Sequence, residues 1–349
     1  MRYRRLFLLA LIIMVQAVVQ FGLGRSILSN RGLADAFPTH PRHGLTSDIR
    51  TAYIIPGGSS SGSVSIFGAL LSARDVNKDI LVYDAAPFGG YRRNVFSGCI
   101  QSVSNAKTVG LGTWSGGACV ATGFSGLGVR GSAWPIIYGM DDTAALQSEV
   151  DALGANQRLI LRETHLIHDT VVFKNKTGGE FGGVTANGQV RSLPFTGSNL
   201  VWVGPARKPM FKFENSGGMY IHDLHFVGNS NPGNRPSAFI DIAQTIRVPI
   251  PNRFAGISNM AGGAWDNPPG GWDNVDNGIY IEPGFAGSPH EFINMRFYNV
   301  GTACFNDQNS AKPGPEFSDI TCQHARVVLY CVNGGSVSFS GATETLTVV

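Results

Sequence analysis

Phe292 and Phe317 stand 25 residues apart, and so do Ile279 and Cys304. That recurrence constrains the fold more than any other feature of the chain, because it is the length of one circuit of a solenoid whose turns each contribute short parallel strands. The repeated segments read as strands. MFKFE (210–214), FIDI (239–242), GIYIE (278–282) and ACFND (303–307) align in one register, and VVLYC (327–331) fits it less cleanly. MYIHDLHFV (219–227), FINMRFY (292–298) and FSDITC (317–322) align in a second, with VSF (337–339) beginning another. Apolar residues alternate within these segments, Ile221, Leu224 and Phe226 matching Phe292, Met295 and Phe297 and then Phe317, Ile320 and Cys322. Asp223, Asn294 and Asp319 recur between the strands, where Asn and Asp tolerate left-handed backbone. The pattern predicts an all-β parallel β-helix.

Such a coil exposes strand edges and an apolar bore at its mouth, so it needs a cap. YGMDDTAALQSEVDALG (138–154) supplies one: Asp141 or Asp142 as N-cap, Leu146, Val150 and Leu153 on one face, and Gly154 as a left-handed stop. The spacing predicts a capping helix over 142–153 at the head of a coil spanning 138–349. Residues 64–137, with short apolar runs at 80–83, 99–103, 108–111 and 119–122, read as a small β domain. Residues 25–63, including GGSSSGS at 57–63, read as a linker. The chain stops at Leu346-Thr347-Val348-Val349 inside strand-like sequence, so either a partner covers the last coil or, the preferred reading, the coil is truncated.

The first 24 residues hold Arg2, Arg4 and Arg5, no acid, and an apolar run from Leu6 to Leu23. Two readings stand. One is a signal peptide cut near Gly22 or Gly24, or later at Ala34-Asp35-Ala36. The other is an uncleaved membrane anchor, since about 20 apolar residues span a bilayer, although Gln16 and Gln20 interrupt this run. Both export the body of the protein. Removing the three leader arginines from 27 basic residues leaves 24 against 24 acidic ones, so charge gives no case for nucleic acid as a partner. A membrane is a partner only on the anchor reading. Export makes cysteines disulfide partners: Cys99 and Cys119 share a β-rich stretch and could pair, whereas Cys304, Cys322 and Cys331 leave at least one over and read equally well as small buried residues.

SARDVNKDILVYDAAPFGG (72–90), IQSVSNAKTVGLG (100–112) and YGMDDTAALQSEVDAL (138–153) follow one another in an order that resembles the opening of phage tailspike and pectate-lyase-superfamily proteins. There, an F..DVGK.I.V.GAG strand, an I.SV....V.L hairpin and a YGTDDTAAIQAAIDA helix come in sequence; here Asn77 replaces a glycine, and Met140 departs from the Gly-Thr portion. The resemblance covers roughly residues 72–340, and DDTAALQ is its most specific part. It implies a right-handed, single-stranded coil, and a complex or acidic carbohydrate as partner, a polysaccharide or cell-surface glycan, cleaved by lyase or hydrolase chemistry. It delivers no catalytic set. The N-T-D, D-D, G-H-G and R-I-K motifs of polygalacturonase-like enzymes are not intact, Asn274-Val275-Asp276 being a loose echo of the first, and the calcium and arginine constellation of pectate lyases is not recognisable.

Candidate site residues therefore come from geometry. Burying Phe211, Ile240 and Ile279 sends Lys212, Asp241 and Tyr280 outward in one row, roughly 4.8 Å apart. Glu282 and Asp307 end their strands on the same flank. Two carboxylates one circuit apart fall near the ~5 Å of a retaining glycosidase, and two circuits apart near the upper end of the inverting range. Asp241, Glu282 and Asp307 are the candidate catalytic groups; the bland alternative is ordinary solvent-facing polar residues. Residues 247–277 read as one enlarged surface loop, in which Trp265 and Trp272 beside Asp266, Asp273 and Asp276 suit the faces and hydroxyls of sugars, or simply anchor the loop. Lys212, Tyr280, Trp265, Trp272 and Arg296 are the candidate substrate-binding groups. No cofactor is implied: a calcium loop at Asp273–Gly278 is broken by Val275. His222, Asp223 and His225 resemble a small cluster but fit an outward polar row better than a metal site.

Overall fold

The computed structural model describes residues 48–60, 63–83, 94–122, 134–184, 198–246, 250–259, 273–284, 290–309, 315–331 and 338–340. The leader, most of the linker, Trp265 and Trp272 and the last nine residues lie outside them. The protein is all-β around a single α-helix among the described residues.

The N-terminal unit is a closed barrel. Its strands are β1 (Arg50–Ser60), β2 (Ser63–Phe67), β3 (Asp79–Tyr83), β4 (Asn94–Asn105), β5 (Thr108–Ser115), β6 (Ala118–Ala121) and β7 (Trp134–Gly139). They run in the order β2-β1-β7-β3-β4-β5, and β2 pairs with β5 to close the ring. β6 hangs on β5, and a disulfide joins its Cys119 to Cys99 on β4. This corrects the linker at 25–63: residues 50–60 form a strand antiparallel to both β2 and β7. Ala52 and Ile54 alternate into the barrel core beside Ile66, Ile80, Val82, Ile100 and Leu111, a two-position signal too short to stand out beside the glycine-serine run that follows.

From α1 (Thr143–Ala152) the chain makes successive circuits. The first adds β8 (Arg158–Leu161) and β9 (His165–Ile167); the second β10 (Val171–Lys174), β11 (Glu180–Gly183) and β12 (Asn199–Trp202); the third β13 (Phe211–Glu214), β14 (Tyr220–His222) and β15 (His225–Val227). The fourth adds β16 (Ala238–Ala243), β17 (Arg253–Ala255) and β18 (Ser258–Asn259). Then β19 (Val275–Ile281) and the long β20 (Glu291–Asp307), β21 (Glu316–Cys331) and β22 (Ser338–Ser340) continue the pattern. Every contact between circuits is parallel, and three ladders result: β10-β13-β16-β19, β8-β11-β14-β17 and β9-β12-β15-β18, all continued by segments of β20 and β21. Between the second and third ladders Asp223, Asn294 and Asp319 take φ of 52, 51 and 54°, the left-handed row expected of them. Gly256 fills the same place in the fourth circuit at φ 64°.

The core that the three ladders share is apolar and aromatic. Phe254, Phe292 and Phe317 stack along the second ladder with ring centroids 5.2 and 5.4 Å apart, matching the strand spacing. On the outside of the third ladder Leu166, Val201 and Val227 pack against Leu81, Tyr83 and Ile137 of the barrel. β3 is therefore buried on both faces, which explains its unbroken apolar run.

Three details differ from expectation. Residues 247–277 are not one loop: Arg253–Ala255 and Ser258–Asn259 are β17 and β18, strands too short for an alternation to register. Asp142 occupies the N-cap place without a side-chain cap bond; its carboxylate instead holds buried His165 at 2.8 Å, and Asp141 accepts from the Thr143 N–H at 2.9 Å. Leu153 ends the helix in extended conformation, so Gly154 is not a left-handed stop.

Candidate functional site

The outward row of the first ladder contains the candidate site. Lys212 is directly opposite Asp241, and Asp241 is opposite Tyr280, as the alternation requires. Lys212 Nζ donates to Glu282 Oε1 at 2.7 Å. That contact spans two circuits and arches over Asp241 in the circuit between, leaving Asp241 only 7% exposed although it points out of the bore. Burial, then the adjacent Glu282 carboxylate, pushes the Asp241 carboxyl up to about 7, against the lowering influence of Lys212. Asp241 Oδ1 has no protein partner. Burial alone would lower the Lys212 ammonium, but Glu282 and Asp241 outweigh it and raise it. Tyr280 flanks the pair, its phenol raised by burial and by both carboxylates. Proton, carboxylate, ammonium and phenol thus meet on a rigid sheet face, the constellation acid–base chemistry needs.

Asp307 does not join them. Between β19 and β20 the register slips by one at the irregularity spanning Val275/Asn277 and Val300/Ala303, so Ile279 pairs with Phe305 rather than Cys304, and Asp307 pairs with Ile281. A one-residue slip moves a side chain to the other face. Asp307 lies on the inward side, buried, its Oδ1 accepting from the Asn309 N–H at 2.8 Å. Cys304 stays buried in the same core and forms a disulfide with Cys322. Arg296 is also elsewhere: it pairs with Ser258 and Thr321 on the third ladder. Trp265 and Trp272 lie outside the described residues. Among those residues no group of three or more His, Cys, Asp or Glu is arranged to hold a metal ion.

A second constellation, on the second ladder, contains a residue that the sequence reading passed over. His222 bonds Asp223 Oδ2 through Nδ1 and Glu180 Oε1 through Nε2, both at 2.9 Å. Glu180 sits 42 positions earlier, one circuit back, and Gly182 makes the contact sterically feasible, since a Cβ there would lie 2.5 Å from His222 Nε2. Burial would lower the imidazole, but the two carboxylates hold it at about 9. It is a cation at neutral pH, unfit as a general base. Because its folded pKa lies above its ordinary 6.5, its stabilisation is full below pH 6.5 and is lost as pH rises through about 9. The melting temperature should therefore decline between pH 6.5 and 9, and His222→Gln should flatten that decline. His225 stands apart on the third ladder, where burial pushes it down to about 4.

No protein-family model and no curated protein matches the chain. No helix among the described residues is long and apolar enough to cross a membrane.

Proposed function

We propose that the chain is an exported, right-handed, single-stranded parallel β-helix of the pectate-lyase-like kind, and that it hydrolyses a polysaccharide on the outer face of the first ladder. One observation carries the reading: Asp241, an outward carboxyl that burial and the neighbouring Glu282 push up to about 7, lies beside Glu282, which Lys212 holds at 2.7 Å. Export rests on the leader composition and on the two disulfides, bonds that persist in oxidising compartments. Asp241 donates its proton to the glycosidic oxygen as the C–O bond breaks. Glu282 attacks the sugar carbon, and water then displaces it, returning a proton to Asp241. Glu282 stands two residues beyond Tyr280, the residue opposite Asp241, so the two carboxyls meet diagonally across neighbouring strands.

Reducing-end release by the full chain near pH 5.5, across a panel of polysaccharides, tests this. Turnover of at least one polymer is expected. No release from any of them, or products absorbing as unsaturated sugars, which mark elimination, would overturn it. The near-enclosure of Asp241 favours a second reading, a glycan-binding surface without turnover, and the same panel separates the two.

A further inference from the structure

Given that reading of the site, we infer that it takes a neutral glycan, one whose sugar units carry no carboxylate, sulfate or phosphate. A binding face for a polyanion needs cations left over to meet it, and the four described lysines along this flank are committed elsewhere. Lys212 is held by Glu282 at 2.7 Å and Lys174 by Glu214 at 3.0 Å. Lys208 grips both oxygens of Asp169 at 2.8 and 2.9 Å. Lys176 donates to the carbonyls of Asp151 and Leu153 at 2.7 and 3.0 Å, at the C-terminal end of the capping helix. Arg235, at the neighbouring corner, lies 3.5 Å from Asp273 and 3.7 Å from Asp276, and the exposed Arg207 beside it faces Asp276 as well.

Within the site two carboxyl groups face one ammonium. The cluster is neutral when Asp241 holds its proton and negative when it does not, and in neither state does it attract an anion. A uronate entering beside Asp241 and Glu282 would add a third carboxyl to a face that, among the described residues, is short of positive charge. What the face offers is suited to an uncharged sugar: the half-buried Tyr280 ring for a C–H face, and paired polar groups for hydroxyls.

Affinity electrophoresis of the full chain at physiological salt, in gels cast with polygalacturonate, its fully methyl-esterified form, or neutral glucan, galactan and mannan, tests this independently of turnover. Retardation by at least one uncharged polymer is expected, at least tenfold stronger than by polygalacturonate. Tyr280→Ala should weaken it about tenfold. Glu282→Gln should release Lys212 and gain retardation by polygalacturonate. Preference for polygalacturonate by the unaltered chain, or no retardation by any uncharged polymer, would overturn the inference. Binding of a neutral polymer without reducing-end release would leave it standing and remove the hydrolase reading instead. Turnover confined to polygalacturonate would do the reverse.

Discussion

Asp241→Asn is expected to lower turnover about 10³-fold while making the protein more stable above neutral pH. The loss follows from the role: an amide cannot deliver a proton to a leaving oxygen, and a positioned general acid typically contributes 10²–10⁴-fold. The gain follows from linkage. The carboxyl is raised from 3.8 to about 7 by burial and by Glu282, so between those values the folded chain holds a proton that the unfolded chain has released. Stability contributed by the protonated group is therefore full below about pH 4 and is lost as pH rises through 7. At pH 8 the ionised Asp241 costs up to about 4 kcal/mol at roughly 1.4 kcal/mol per pKa unit. Asparagine is isosteric, keeps a donor toward Glu282 and carries no charge to bury. Thermal melts should place the variant level with the parent near pH 4 and above it at pH 8. A variant that melts lower than the parent at pH 8 would show that the buried carboxyl is not held under strain. Retained turnover would remove Asp241 from the chemistry.

The contrast between Asp241 and Asp307 shows how far the sequence could be read. Asp241 was legible because the 29-residue step from Phe211 to Ile240 is in register, so alternation alone sends Lys212 and Asp241 to the same outer row. Asp307 was not, because one extra residue between Val300 and Ala303 converts a 25-residue step into 26 and turns the side chain inward. Periodicity locates strands but does not count bulges, and a single bulge reverses every face beyond it. β17 and β18 escaped notice for a related reason: three- and two-residue strands flanked by Pro251 and Gly256 hold too few alternations to separate from a loop. Glu180 was out of reach because its partner His222 is 42 residues away, and only stacking of circuits brings the two together. The Lys212 arch over Asp241 is likewise a product of stacking: Glu282 lies 70 residues from Lys212 in the chain and two circuits away in space. The all-β character and the left-handed turn row, by contrast, depend on local residue choice repeated in each circuit, and local choices survive in the sequence.

Leu146→Asp should leave little or no soluble protein. Leu146, Val150 and Leu153 are buried in the aromatic core of the coil together with Phe173 and Phe181, so the helix closes the mouth that the first ladder would otherwise open to water. A carboxylate at position 146 would have no partner there. Burying an unpaired charge costs several kcal/mol, and losing the leucine contacts adds about 2–5 kcal/mol; together these match the whole stability of an ordinary domain. The helix also closes the edge of β10 in a way that hydrophobic burial does not. Gln147 acts as a substitute strand residue, its Nε2 donating to the Val172 carbonyl at 2.9 Å and its Oε1 accepting from the Val172 N–H at 2.7 Å. Gln147→Ala removes both bonds and leaves that edge partly unpaired, at a cost of about 1–3 kcal/mol. It should therefore yield folded protein that melts several degrees lower, readable by thermal denaturation where Leu146→Asp gives nothing to melt. The two variants separate the cap's two jobs, sealing the bore and ending the ladder. A Leu146→Asp chain that stays folded with an unchanged melting temperature would mean that the coil closes without its helix.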